Sequence, residues 1–348
     1  QPPPRPNPSS AAPTAGPVAP PVRPRRRRAR ALLITALVVL SAVLLLVGFV
    51  AWEVRRFGQI PRVDVPSVEA AAGGQVANWL LVGTDDRDGI DPSDPNAGAF
   101  LGEVVTGART DTILVARADA GAGTVDLLSV PRDLWVPIAG EGGTGRINGA
   151  FDGTGGPERL TATVEAALGL EINHYIEVDF VGFRDVVDAL GGVSVEFAHP
   201  ARDLRSGLTI DEAGTHLLDG DQALALARSR AFEQLVDGSW RTDPTGDLGR
   251  TERQRLLLAQ IVEAAGRSVG PTGLLTADRV LAAGATSLVI DDGTGFLELL
   301  SLARTTAGVG ADGVRSHALP VDDVRTAGGA QVLELRQAEA DDVLARFR

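Results

Sequence analysis

Two stretches, VANWLLVG (residues 76–83) with TDDR directly after it and DTILVARA (111–118) with RT directly before it, decide how this chain is read. Both are short apolar runs rich in β-branched and aromatic residues and closed by polar residues, the pattern of strands covered on both faces. Working outward, TVDLLSV (124–130), NHYIEVDF (173–180) and GVSVEF (192–197) read the same way. Helical periodicity fills residues 157–168, 180–190, 219–227, 249–266, 276–284 and 293–304. Strands interleaved with helices predict an α/β fold, a three-layer α/β/α sandwich with a central mixed sheet. No internal repeat and no second composition shift divides residues 75–348, so one domain is expected there. Ligands of open α/β sheets sit beyond the strand ends, which directs attention to the polar residues flanking these runs.

The chain has 348 residues, no Cys, and 33 basic residues that are all Arg. Without Cys, disulfides, thiolate catalysis and Cys-ligated metal centres are excluded. Residues 1–52 hold seven Arg and no acid, which leaves 26 Arg against all 45 acids, a formal charge of −19 on the remainder. A body this acidic repels bulk nucleic acid, so no nucleic-acid partner is expected. An arginine-lined site in it must be local and sized for a small anionic group.

Residues 31–52 (ALLITALVVLSAVLLLVGFVAW) carry no charge. A helix of that length covers roughly 33 Å, enough to span a bilayer core of about 30 Å. Six Arg within residues 23–30 precede it, whereas only Arg55, Arg56 and Arg62 follow closely. The positive-inside rule therefore predicts a single-pass anchor in the cytoplasmic membrane, N-terminus inside and the large domain outside. Residues 1–30, rich in Pro and Arg, are expected as a cytoplasmic tail without a core, and 53–74 as a stalk.

At the strand ends stand Asp85-Asp86-Arg87, Arg109-Thr110-Asp111 and Pro131-Arg132-Asp133. Further along come Arg228-Ser229-Arg230 and, on a helical stretch, Arg250-Thr251-Glu252-Arg253-Gln254. In extended chain, residues two apart face the same way, which pairs Arg109 with Asp111, Asp85 with Arg87, and Arg228 with Arg230. Arg250 and Gln254 are one helical turn apart. Carboxylate oxygens suit Mg²⁺, which takes one or two of them together with substrate phosphates. Arginine forks grip phosphate oxygens and stay charged at any relevant pH. Metal and arginines together would neutralise the charge that develops as a P–O–P bond breaks. Each tripeptide alone is equally at home in a surface salt bridge; their placement at successive strand ends gives the set its weight.

The order GTDxR, RTDT, SVPRD, GRINGAF, VDFxGFxxVVDALGGVxV, ALALARSR and DLGRTERQ resembles the LytR-CpsA-Psr family of cell-wall glycopolymer transferases. The resemblance runs from about Val76 to Val321. It implies a Mg²⁺-dependent site that holds the pyrophosphate of a polyprenyl-linked glycan donor. The glycan phosphate would pass to a peptidoglycan hydroxyl, with release of polyprenyl monophosphate. By motif position, Asp85 and Asp111 would hold the metal. Arg87, Arg109, Arg132, Arg228, Arg230, Arg250, Arg253 and Gln254 would line the pyrophosphate, and Asp85, Asp111, Arg109 and Arg132 would form the catalytic set. The VDF–VVDAL segment would help wall a pocket for the lipid tail, a role its pattern shares with ordinary core packing.

Two stretches depart from the family pattern. Residues 86–108 form a long acidic insertion, a lid or a surface loop. Residues 231–246 separate Arg230 from the Arg250 helix and carry Trp240, placed to stack on a sugar or to pack locally. Asn148 either contacts substrate or fixes a turn. His174, His199 and His216 share no metal-ligand spacing. Two other readings stay open: a hydrolase of the same lipid pyrophosphate, and a non-catalytic protein that binds lipid or cell wall. The glycopolymer itself is not legible; the Arg-only, Ala- and Gly-rich composition is of GC-rich type, and for a GC-rich bacterium of the mycolic-acid type the resemblance would imply arabinogalactan as donor.

Overall fold

The computed structural model describes residues 51–68, 75–84, 110–245, 247–267, 274–309 and 313–348, with Ser41 and Gly48 as isolated positions. Residues 1–51 and 52–348 form separate compact units, and the second holds every element named below. The tail 1–30 and nearly all of the expected span 31–52 lie outside the described residues. Among the described residues no helix is long and apolar enough to cross a membrane.

In chain order come β1 (Arg62–Val63), β2 (Val76–Thr84), β3 (Thr110–Asp119), β4 (Thr124–Val130), the short pair β5 (Trp135–Pro137) and β6 (Thr144–Arg146), α1 (Gly156–Leu168) and β7 (His174–Val178). Next are α2 (Phe180–Ala189), β8 (Val193–Phe197), β9 (Ala201–Asp203), β10 (Leu208–Ile210), β11 (Gly214–Leu218), α3 (Gly220–Arg228), β12 (Glu233–Val236) and β13 (Ser239–Thr242). The chain continues through α4 (Asp247–Arg267), α5 (Leu274–Ser287), β14 (Leu288–Asp291), α6 (Phe296–Val309), β15 (Val314–Ala318), β16 (Val321–Arg325), β17 (Gln331–Leu335) and α7 (Gln337–Leu344).

Seven strands make the central mixed sheet in the order β1-β14-β7-β2-β3-β4-β15. Side chains alternate across it, as the pleat requires. Leu80 and Val82 of β2, with Ile113 and Val115 of β3, enter one layer beside Leu160, Val164 and Leu168 of α1. Trp79, Ala116 and Ala118 enter the opposite layer, where Leu258 of α4 and Leu299 and Leu302 of α6 pack. Helices therefore cover both faces of the mixed sheet. Each fully buried Leu, Val or Ile contributes about 1.5–3 kcal/mol.

Two expectations change. The segment read as a stalk is folded over its described residues: Phe57, Ile60 and Val65 are buried, and β1 pairs with β14 at the sheet edge. An apolar residue every few positions sufficed to dock it. GVSVEF, expected within the main sheet, forms β8 and pairs antiparallel with β11 instead. Its alternating burial is that of a strand with one wet face, unlike the covered central strands. With a four-stranded sheet ordered β10-β9-β12-β13, β8 belongs to a second lobe packed on α2, α3 and α4.

Helix α3 starts with a capping box between Asp219 and Gln222. Its first residue, Gly220, lies so close to α2 that a Cβ there would come 2.4 Å from the Arg184 carbonyl oxygen. Gly220→Ala is expected to cost about 1–3 kcal/mol by forcing the two helices apart. Thermal unfolding of the variant checks this, with a fall in Tm of several degrees expected.

Candidate functional site

The strand register brings the end of β2, the start of β3 and the end of β4 to one edge of the sheet, formed by strand ends. Gly83 pairs with Thr112 and Thr84 with Thr110, which leaves Asp111 as the extra residue of a β-bulge. A bulge bends the strand and re-aims the residue it frees. Gly83 makes a close approach there: a Cβ would come 3.1 Å from the Thr112 Cβ, so any larger residue would press on Thr112. Thr84 is buried, and its Oγ1 has no hydrogen-bond partner among the described residues. Val130 pairs with Ile113, so Arg132 leaves β4 at this same edge. β7 runs parallel to β2 with Val178 beside Gly83, so its end arrives there too. Asp85, Arg87 and Arg109 lie outside the described residues, as does the side chain of Asp111. The 86–108 insertion lies outside them as well.

After β7, Asp179 caps α2 by accepting the Gly182 N–H at 2.6 Å, which fixes Phe180 at the helix start. The Arg228 guanidinium carbon lies 4.8 Å from the Phe180 ring centroid, a cation–π contact that ties the end of α3 to this edge. From Arg228 the chain turns through Ser229, which is fully buried, to Arg230, which is exposed.

That turn is clamped from below by Asp203, at the end of β9 and 0 % exposed. Its carboxylate accepts Ser229 Oγ at 2.7 Å and the Ala231 N–H at 2.8 Å. It also accepts the N–H groups of Arg205 and Ser206. Burial pushes this carboxyl up, but the four bonds outweigh it and hold Asp203 below the usual carboxylate range.

Helix α4 clamps the turn from the other side. Gln254 Nε2 donates to the Ala227 carbonyl at 3.1 Å, and Arg253 Nη2 donates to the Ser229 carbonyl at 3.0 Å. Both satisfy acceptors that the end of α3 leaves open. Arg253 is also held by Asp243 at 2.8 Å and lies over the Phe232 ring at 4.5 Å. Burial raises the Asp243 carboxyl, and bonds from Thr245 and Arg253 more than reverse this. Arg250, one turn before Gln254, is 4 % exposed. It brings a buried guanidinium to the side of α4 that meets the α3 terminus. The expected pyrophosphate residues thus divide by contact: Arg253 and Gln254 brace the turn that Arg228 and Arg230 occupy.

Arg132 is braced by the GRINGAF segment. Its carbonyl accepts the Asn148 N–H at 3.2 Å, and Asp133 lies between the Arg132 and Arg146 guanidinium groups at 3.4 and 3.2 Å. Asn148 therefore fixes the Pro131-Arg132-Asp133 turn through its backbone. His174 is buried, stacks on Trp79 at 4.0 Å and hydrogen-bonds Thr294 at 2.8 Å. Burial holds its imidazole below the ordinary value, against the pull of Asp291 and Glu298. A cleft of about 320 Å³ between Ala120 and α6, lined by Arg304 among others, opens at the far end of β3 from Thr110.

Asp203 and Asp243 escaped the sequence reading, and Phe180 was read only as part of the VDF–VVDAL segment. Asp203 sits in ARDLRSG, which reads as an ordinary turn, and its partner Ser229 is 26 residues away.

Chemically, the described arginines place cations on two braced turns, Arg132 after β4 and Arg228 with Arg230 after α3, with Arg250 buried on the neighbouring helix α4. Residues 61–348 match the family model described as the LytR_cpsA_psr family. The chain is 38 % identical over 247 residues to the probable cell wall biosynthesis protein LcpB of Corynebacterium glutamicum, covering 69 % of this chain and 55 % of that protein. It is 34 % identical over 183 residues to the polyisoprenyl-teichoic acid–peptidoglycan teichoic acid transferase TagU of Bacillus anthracis, covering 50 % of this chain and 54 % of that one. The chain thus spans about half the length of these curated relatives. Among solved structures, the LytR-Csp2A-Psr enzyme from Actinomyces oris superposes with a TM-score of 0.63 at 26 % identity, over 83 % of this chain and 95 % of that one. TagV of B. subtilis shares the fold, with a TM-score of 0.61 at 23 % identity, over 79 % and 97 % of the two chains. With the family model matched across 61–348, the chain belongs to the LytR_cpsA_psr family.

Proposed function

We propose that this chain is a membrane-anchored phosphotransferase that moves a phosphate-linked glycan from a polyprenyl pyrophosphate donor onto a peptidoglycan hydroxyl outside the cytoplasmic membrane. The observation that carries this reading is the braced arginine turn. Asp203 beneath it and Arg253 and Gln254 beside it hold Arg228 and Arg230 at the edge where Thr84, Asp111 and Arg132 converge. A cluster of cations fixed before substrate arrives suits a pyrophosphate and stabilises charge without reorganising. The relatives' names point the same way: TagU is a transferase that joins a polyisoprenyl-linked polymer to peptidoglycan.

The residues present fit Mg²⁺. Asp85 and Asp111 offer hard oxygen ligands, the bulge singles out Asp111, and the buried Thr84 hydroxyl, without a hydrogen-bond partner among the described residues, lies beside Asp85 in sequence. When bound, the ion would neutralise pyrophosphate charge alongside the arginines. Arg132, Arg228, Arg230 and Arg250 would grip the two phosphates and orient the glycan-side phosphorus for in-line attack. The new bond joins that phosphorus to the acceptor oxygen. The bond broken runs to the bridging oxygen, which departs on the lipid monophosphate, and the proton lost by the acceptor hydroxyl passes to solvent or to that departing phosphate.

Chelation of Mg²⁺ is expected to lower transfer by about 100-fold or more, with activity restored by added Mg²⁺ and not by monovalent salt. Turnover measured across a Mg²⁺ titration checks this. Full activity in chelator would remove the metal from the mechanism.

A further inference from the structure

The outer face of the small β10-β9-β12-β13 sheet is built unlike its surroundings. The register aligns Thr209, Arg202, Glu233 and Thr242 in one row, with Leu235 and Trp240 as the next pair. Residues in register share a face, so these six point the same way. The opposite face buries Ala201, Asp203, Leu208 and Ile210. Trp240 stands on β13, the edge strand, and remains 38 % exposed although Arg202 covers it at 4.0 Å. Glu233 in turn holds Arg202 Nε at 2.7 Å.

We propose that this face is a saccharide platform on which the acceptor's glycan strand, a chain of N-acetylated hexosamine rings, is laid beside the arginine turn. The inference rests on the transferase reading and adds where its acceptor is held. Charge selects the occupant. Among these six residues the two charges, Arg202 and Glu233, neutralise each other, and the rest is an indole, a Leu and two hydroxyls. In so acidic a domain, an uncharged aromatic surface suits a neutral sugar and offers nothing to an anionic polymer. The ring is also set in advance. With one side packed on a pinned guanidinium, it presents its other side without further loss of rotamer freedom.

Position selects the same occupant. Glu233 is three residues beyond Arg230, a separation of at most roughly 10 Å. A strand of sugars crossing the platform can therefore bring a hydroxyl to the phosphates. An acceptor that is a long polymer must lie across an open face, because it cannot be threaded into a closed pocket. A purely structural Arg202–Trp240 contact would not require an open indole.

The test is binding of chitotetraose to the full chain in detergent micelles, followed by saturation-transfer NMR on the sugar protons. Wild-type protein should bind saturably, Trp240→Ala about tenfold more weakly, and Trp240→Phe nearly as wild type. Absence of saturable binding to wild type overturns the proposal, as does Trp240→Ala binding equal to wild type. Donor turnover is measured separately on the same preparations. A wild-type chain that binds chitotetraose but never consumes lipid-pyrophosphate donor would sink the transferase reading and leave the platform standing. Normal transfer with binding unmoved by Trp240→Ala would do the reverse.

Discussion

Asp203→Ala is expected to lower transfer by about 100-fold, although Asp203 touches no substrate, because displacing reacting groups by about 1 Å costs that much. The substitution strips the acceptor from Ser229 Oγ and from the N–H groups of Ala231, Arg205 and Ser206. Each donor left unpaired in a buried site costs about 1–3 kcal/mol, so a lower Tm accompanies the loss. Ser229→Ala gives the milder form: it removes one bond from the turn and leaves the carboxylate with its three N–H donors. It should keep the fold while weakening the placement of Arg228 and Arg230. Paired melting and turnover curves check both variants. Normal kcat and KM in a folded Asp203→Ala chain would show that the turn does not depend on this clamp.

The same carboxylate gives a pH prediction. Its folded value is depressed from an ordinary 3.8, so its contribution to stability is complete above that value. The contribution fades only as pH falls below 3.8 toward the depressed folded value. Asp203→Asn should flatten that acid limb of the stability curve and leave the neutral region parallel to wild type.

Arg250→Lys is expected to lower kcat/KM by about 10²–10³-fold with little change in Tm. Charge is kept, but a compact ammonium cannot reproduce the planar fork of a guanidinium on phosphate oxygens. Removing one preorganised stabiliser of developing charge costs about 2.7–4 kcal/mol in comparable sites. Initial rates over a donor series measure it. Rates for Arg250→Lys within about threefold of wild type would demote Arg250 to a packing residue.

How much could be read from sequence depended on whether the signal was local. β2, β3 and β4 were legible because an apolar run between polar residues is a strand signal complete in itself. The helices 156–168 and 247–267 were legible from periodicity, within one or two residues at each end. The second lobe was not, because β9 and β10 are three residues each, too short for any period, and owe their existence to distant pairing. β1 was missed for the same reason: its partner β14 lies more than 220 residues away.

The site divides along the same line. Residue types suited to phosphate announce themselves, so the arginines could be named as a candidate set. The bulge at Asp111 was invisible, since nothing in RTDT marks which residue the ladder skips. Arg253 and Gln254 were grouped with the phosphate ligands by motif position, which names a residue and not its partner. Only the fold shows that they reach the carbonyls ending α3. Trp240 was recognised as an unusual residue, but the neutral face around it is assembled across separate strands and has no sequence signature.

The most direct test of the account incubates the full chain with a short lipid-pyrophosphate-linked glycan and peptidoglycan oligomers, with and without Mg²⁺, beside an Arg132→Ala variant. The account predicts glycan phosphate joined covalently to peptidoglycan, dependent on both Mg²⁺ and Arg132. Donor bound without turnover in the presence of competent acceptor, or released only as free glycan phosphate, would contradict it.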